Sequence, residues 1–273
     1  MAVITISRQV AALGDEIAGA LAKEIGYTFI GRKDIEARIV ELGFPAEKLK
    51  KYDERKPGFF ASLAKDRDEY LDYLQLAVLE AAAKNNCILI GRGAFVILEN
   101  LPNHFAVRFV ANDTVRTERL KAEFSWDDKQ AKQRISESAA NRVGFHKSFF
   151  NVDNEDASHY HLVLNTGKLD VDSAVKILKD LKDILVTPEK EQAGETKIKE
   201  LLAAQQLVNK LVFEYNLNIN FLHAVISGDT LTLQGVADSS ALVEKAMTVA
   251  HKTFPELKIE SAISVVQDFK AYP

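Results

Sequence analysis

The stretch VITISRQVAALGDEIAGALAKEIG, Val3 to Gly26, decides the fold. Val3–Ile6 is a short run rich in β-branched residues, the kind that forms strands. A turn follows over residues 7–14. From Asp15 onward, Ile17, Ala18, Leu21, Ala22 and Ile25 recur at helical spacing on one face. Strand, turn and helix in this order are the layout of a phosphate-binding loop, in which backbone N–H groups converge on an anion at a helix N-terminus. This loop departs from that pattern. It keeps one glycine, Gly14, and lacks a lysine, and Asp15 and Glu16 open the helix. Acids there stabilise the helix against its own dipole, yet they stand where a phosphate would sit. A like-charge pair ~5 Å apart costs about 3 kcal/mol at an effective dielectric near 20. Arg8 is the single nearby cation.

Outward from this stretch, apolar runs of strand length recur at Cys87–Ile90, Phe105–Val110 and His161–Leu164. Like Val3–Ile6 they do not alternate cleanly, which suits strands buried on both faces of a parallel sheet. Helical periodicity lies between them. Tyr70–Ala83 carries Tyr70, Leu74, Ala77, Val78 and Ala81 on one side, and Ser173–Leu185 carries Ala174, Ile177, Leu178, Leu181 and Leu185. Asp127–Phe145 reads as a polar helix with few core anchors. Strands alternating with helices predict an α/β domain of three layers with a central parallel sheet over residues 1–186. The polar segment Thr187–Lys197, with Pro188 and Gly194, is the expected linker. Residues 198–273 then read as a small α+β domain of order αββαβ. It has a helix over Ile198–Tyr215, two strands around Ser227-Gly228-Asp229, a helix capped by Asp238 that runs to about Thr253, and a closing strand.

The chain has 273 residues, 47% hydrophobic and 27% charged, a composition able to bury a core. Net charge is −4: residues 1–194 hold 28 basic and 30 acidic side chains, and residues 195–273 hold 7 and 9, so each part carries −2. This balance gives no support to nucleic acid or an anionic membrane as partner. Cys87 is the only cysteine, so an internal disulfide and a cysteine-rich metal site are excluded. No apolar run approaches the ~20 residues that span a bilayer. No basic segment followed by an apolar stretch opens the sequence, so a signal peptide is not expected and the expected location is cytoplasmic.

Several segments in order resemble the cytidylate kinase-like family, a branch of the P-loop nucleoside monophosphate kinases. They are ITISRQ…GDEIAGALAKEIGYTFI, DERKPGFF, ILIGRGAFVIL, HFAVRFVANDTVRTERL, QRISESAANRVGFHKSFF and YHLVLNT, and they cover residues 2–186. The resemblance implies transfer of a phosphoryl group from ATP to a pyrimidine monophosphate with Mg²⁺, by positioning and charge neutralisation, in which arginines matter most. It places Ser7, Arg8 and Gly14 at the donor-phosphate loop. It places Arg32, Gly91 and Arg92 on the acceptor side, and Arg116, Arg119 and Arg142 around the transferring group. The departures are equally specific. The glycine-rich centre of the loop is Val10-Ala11-Ala12-Leu13, and the basic position after it is Asp15. Gly31 replaces an acid after the strand, and Ala139 replaces the acid of an Asp-x-x-Arg pattern that keeps Arg142. Arginines persist while loop glycines and two acids are gone, so weakened or lost nucleotide chemistry is the expectation.

Other residues have plainer readings. His159 and His161 have the spacing of a metal pair on a strand but no third ligand nearby, and read as a solvated strand edge; no metal site is expected. Asp127-Asp128 reads as a helix N-terminus, Cys87 as an inert core residue, and the Tyr70/Leu74/Val78 stripe as core.

The segment VISGDTLTLQGVADSSALVEKAMTVAHKTFPELKIESAISVV is similar to the BON domain, which implies an interaction or small-ligand module. Its charge of −2 does not support anionic lipid binding. Three functions are compatible with the whole chain: a CMP-type kinase, a nucleotide-binding pseudokinase acting through its second domain, and a non-catalytic scaffold.

Overall fold

A computed structural model describes residues 2–49, 52 and 65–266. The segment Asp53–Phe60, which carries the DERKPGFF part of the resemblance, lies outside the described residues. The chain forms two compact units, Met1–Glu195 and Thr196–Pro273. In chain order the first contains β1 (Val3–Arg8), α1 (Gly14–Ile25), β2 (Thr28–Ile30), α2 (Arg32–Glu41), α3 (Ala46–Leu49), α4 (Lys65–Ala83), β3 (Cys87–Ile90), α5 (Ala94–Ile97), β4 (His104–Val110), α6 (Asp113–Phe124), α7 (Asp128–Phe150), β5 (Leu162–Asn165) and α8 (Val171–Leu185).

The five strands form one parallel sheet in the order β2-β3-β1-β4-β5. The central strands β1, β3 and β4 are buried almost throughout, as their unbroken apolar runs predict. β5 is an edge strand, so only Leu164 of its four residues is fully buried. Side chains alternate between faces along each strand. Ile4, Ile6, Phe105, Val107 and Phe109 pack with Ile17, Leu21, Ala174 and Leu178 from α1 and α8. Thr5, Ser7, His104, Ala106 and Arg108 point to the other face, where Thr5 Oγ1 and His104 Nε2 are 2.7 Å apart. An aromatic cluster fills part of the remaining core, with Tyr52 stacked on Tyr70 at 4.9 Å and Phe149 edge-on to Tyr52 at 5.9 Å.

Several elements differ from the expectation. α7 is not poor in core anchors, because Ala131, Ile135, Phe145, His146 and Phe149 are all buried; its last turns run past the expected end into an aromatic core. β2, α2 and α6 join the elements read from periodicity. α6 buries Arg116, Thr117 and Leu120, a stripe too polar to register as amphipathic. α9 (Pro188–Asn209) begins inside the expected linker, Thr187–Lys197, and the boundary between the two units, Glu195/Thr196, also lies within it. Pro188 at the first helical position and acids in the first turn favour helix initiation there.

In the second unit, a π-helical turn at Lys210–Glu214 leads to β6 (Ile219–Ser227) and β7 (Thr230–Ala237), an antiparallel hairpin. Its tight turn places Gly228 at φ 61. α10 (Ser240–Thr253) connects to β8 (Lys258–Val265), which pairs in parallel with β7. Ser239, not Asp238, is the residue at the head of α10. Leu207, Leu211, Leu231, Leu233, Ala246 and Ala250 build a core of its own. At a bulge in β6, Phe221 takes φ 54 and is 85% exposed. Among the described residues no helix is long and apolar enough to cross a membrane.

Candidate functional site

The loop at the C-terminal end of β1 takes left-handed backbone at two residues that are not glycine. Ala11 and Leu13 lie in the left-handed region, at φ 57 and φ 55, where an L-residue with a side chain costs roughly 1–2 kcal/mol. Surrounding groups hold this shape. The Ala12 N–H donates to the Gln9 carbonyl at 3.3 Å. Arg119 Nη1 donates to the Ala11 carbonyl at 2.9 Å, and Thr166 Oγ1 donates to the Ala12 carbonyl at 3.1 Å. The Ala111 N–H donates to the Gln9 side chain at 3.0 Å. Arg119 also reaches the Thr166 carbonyl at 2.6 Å. It is a strut behind the loop; burial holds its pKa below the usual arginine range, with Glu16 opposing.

Gly14 begins α1 where a Cβ would lie 2.7 Å from the Arg8 Cγ, so glycine lets Arg8 cross the head of the helix. Arg8 is 13% exposed and meets Asp15, 64% exposed, at 3.5 Å. Leu13, at the head of α1, provides no side-chain cap. The loop is the floor of a cleft of about 790 Å³ whose wall includes Phe124, Trp126, Arg134 and Arg142, with Arg32 also at its lining. That volume lies in the range of small-ligand pockets, ~300–1,000 Å³. Asp15, Glu16 and Glu123 line it as well, so three acids face four arginines.

The acceptor-side arginines are arranged differently. Gly91, Arg92 and Gly93 are all left-handed, at φ 79, 56 and 68, and this turn sends the Arg92 side chain into the core at 2% exposure. Its Nη1 donates to the Tyr52 carbonyl at 2.8 Å and to the Tyr70 hydroxyl at 3.1 Å. Its Nη2 pairs with the Glu36 carboxylate. The same Glu36 oxygen accepts from Arg32 Nε at 2.8 Å. Gly91 itself stays beside Ser7, Arg8 and Arg142.

Arg116 is buried and paired with Asp113. With Arg8, Arg108, Arg142, Ala139 and Asn154 it lines a hole of about 10 Å³, room for about one water. Arg116 Nε and Asn154 Oδ1 are buried there without a hydrogen-bond partner. Arg142 Nη1 donates to Ser138 Oγ at 2.9 Å. Arg108 Nη1 donates to the Asn154 carbonyl at 2.6 Å and to Ser7 Oγ at 3.4 Å. The fold thus gathers Ser7, Arg8, Gly14, Gly91, Arg116 and Arg142 around the loop and puts Arg32 on the cleft lining. It turns Arg92 inward and uses Arg119 from behind. Sequence reasoning missed Arg108, whose signal is a lone arginine in an apolar strand, and Glu36, Phe124, Trp126 and Arg134.

Among the described residues no group of three or more His, Cys, Asp or Glu could hold a metal. Asp127 caps α7, accepting from the Gln130 N–H at 2.7 Å, and Asp128 pairs with Lys121 at 2.7 Å. His161 Nδ1 accepts from the Ala106 N–H at 3.0 Å at the edge of the sheet. His159 ends a short 3₁₀ turn, not a strand. Cys87 is buried, and desolvation pushes its thiol up to about 12.

A family model described as "Cytidylate kinase-like family" matches residues 3–168. A cytidylate kinase of Methanocaldococcus jannaschii is 30% identical over 147 residues, 53% of this chain and 76% of that protein. Among solved structures, an uncharacterized protein from Eubacterium ventriosum superposes with a TM-score of 0.52 at 19% identity, over 67% of this chain and 99% of its own, which shows a common fold. A shikimate kinase from Bacteroides thetaiotaomicron matches at a TM-score of 0.41 and 16% identity, over 67% of this chain and 98% of its own.

Proposed function

The chain belongs to the cytidylate kinase-like family, and from that membership we propose that its first unit binds a nucleotide, ATP or CMP, with phosphoryl transfer weakened or lost. One observation carries this reading: Asp15 stands at the head of α1, 3.5 Å from the only basic side chain of the loop, where a phosphate would compete with it. The left-handed loop, the head of α1, to which Leu13 gives no side-chain cap, and the arginine-lined cleft support retained binding. In this reading Ser7, Arg8 and Gly14 hold the donor phosphates, with Arg142 and Arg116 beside the transferring group. Arg119 positions the loop from behind. Arg32, Gly91 and Arg92 serve the acceptor once Glu36 releases the two guanidinium groups. Mg²⁺ neutralises phosphate charge in such chemistry and takes most of its ligands from phosphates and water. Among the described residues no group of three or more His, Cys, Asp or Glu could hold the ion by itself, so it would enter with the phosphates. The reading takes the protein to be cytoplasmic, where the phosphate donor is.

A thermal-shift titration with ATP·Mg²⁺ and with CMP tests it. Ligand at 100 times its dissociation constant adds about 2.7 kcal/mol of stability. A shift with little or no turnover in a coupled ADP assay is the expected result. Rapid turnover would overturn the loss of transfer, and the absence of a shift with every nucleotide would overturn binding.

A second reading, a scaffold or regulatory protein acting through a BON-like module, draws support from the second unit. That unit has a separate core, an αββαβ order and an 85%-exposed Phe221 on a bulged strand. It becomes the better reading if no nucleotide binds.

A further inference from the structure

Phe124 and Trp126 flank Ser125, which ends α6 in the left-handed conformation at φ 56. The sharp reversal brings the two rings face to face, with centroids 4.7 Å apart and an interplanar angle of 25°. Trp126 is fixed from behind. Together with Val10 and Ala11 of the loop it packs on Leu120, Ala131 and Ile135. Phe124 lies outside this cluster, 48% exposed, on the wall of the cleft. A single exposed phenylalanine is ordinary. This one is stacked on a partly buried ring that is itself packed on the core, beside a loop and among Arg8, Arg134 and Arg142. The chemistry that satisfies both features is a planar ring joined to an anion.

We propose that Phe124, backed by Trp126, is the surface on which the base of a bound nucleotide stacks. The inference rests on the nucleotide-binding reading above and adds the group that recognises the base. An aromatic face accepts any nucleobase and gains about 1–3 kcal/mol per stacked base. The loop and the arginines address the phosphates. Val10 and Ala11, at the eroded centre of the loop, pack on the same Leu120–Ala131–Ile135 cluster as Trp126, so the apolar residues of the loop have a structural use.

Trp126 is the only tryptophan in the chain, so its fluorescence reports on this surface directly. Fluorescence and thermal shift are followed while the full chain is titrated with ATP·Mg²⁺, CMP and tripolyphosphate, which has phosphates and no base. Nucleotides are expected to change the Trp126 emission, and tripolyphosphate to bind without the same change. Phe124→Leu keeps an apolar side chain and removes the ring; it is expected to weaken nucleotide binding about tenfold and leave tripolyphosphate binding unchanged. Phe124→Tyr is expected to restore the wild-type affinity. If ATP or CMP shifts the melting temperature but binds Phe124→Leu as tightly as wild type, the stacking surface is refuted while nucleotide binding stands. If no nucleotide shifts the melting temperature, both fall.

Discussion

Glu36 holds Arg92, 56 positions along the chain, and Arg32, four positions before it, on one carboxylate oxygen. Two guanidinium groups on one anion form the arrangement that a phosphate would otherwise command. If Arg32 and Arg92 hold the acceptor phosphate as proposed, Glu36 competes with it for both. Glu36→Gln removes its charge and keeps its shape. Because Arg92 is buried, losing its charged partner destabilises the fold, by about 3–5 kcal/mol where no other group compensates. The expected outcome is a lower melting temperature and a CMP affinity raised about tenfold, which is about 1.4 kcal/mol. Calorimetric titration of both proteins with CMP measures it, and equal affinities would show that Glu36 does not compete.

The loop offers a test of backbone strain. Ala11 sits at φ 57, a region that glycine enters freely. Ala11→Gly is expected to stabilise the protein by up to about 1 kcal/mol, the relief of left-handed strain less the added freedom of the unfolded chain. Urea denaturation at fixed pH measures the change. Leu13→Gly is expected to gain less or to lose, because it removes a larger side chain from the core beneath α1 than Ala11→Gly removes from the Leu120 cluster. A destabilised Ala11→Gly would mean that the strut from Arg119 and the bond from Thr166 do not hold that conformation.

His104 gives stability a dependence on pH. Its ring is buried, bonded to Thr5 and 6.2 Å from His161, and desolvation drives its pKa from 6.5 down to about 3. Below pH 6.5 the unfolded chain binds a proton that the folded chain refuses. The stabilisation is therefore full above pH 6.5 and is lost as pH falls toward about 3, by up to about 1.4 kcal/mol per pH unit. His161, also lowered by burial, acts in the same direction. Urea midpoints between pH 7 and 5 are expected to fall steadily in the wild type and less steeply in His104→Gln. Equal slopes would remove His104 as the cause.

Much of this architecture is legible in the sequence, and the rest is hidden for physical reasons. Buried strands and the helices α1, α4 and α8 advertise themselves because apolar residues recur at their periods. α6 does not, because its inward side carries Arg116 and Thr117 beside Leu120. The polar composition of Thr187–Lys197 suggests a linker, yet Pro188 and the acids after it start a helix. The arginines of the site can be found by motif, but their partners cannot. Arg32 and Glu36 look like an ordinary surface pair four residues apart until the fold brings in Arg92. Ala11 and Leu13 stand where the resemblance leads one to expect glycines, and both take left-handed backbone that glycine favours, which their side chains do not announce.

Asp15 and Arg8 supply the remaining prediction. At 3.5 Å, with the acid 64% exposed, their pair contributes little to stability, about 0–1 kcal/mol. Its larger effect falls on any anion at the head of α1, which must displace Asp15 from Arg8 and meet its charge. Asp15→Asn removes the charge alone, and Asp15→Lys replaces it with a cation. Stability should change by less than about 1 kcal/mol in either variant. Affinity for tripolyphosphate and for ATP·Mg²⁺ is expected to rise in the order wild type, Asp15→Asn, Asp15→Lys, by about tenfold overall, with the gain shrinking as salt screens the exposed charges. CMP, if held on the acceptor side, should change far less. Titrations of the three proteins at low and high salt decide the matter. Affinities that do not rise with the change of charge would place the defect of this loop in its missing glycines and the restricted approach to its amides, not in its acids.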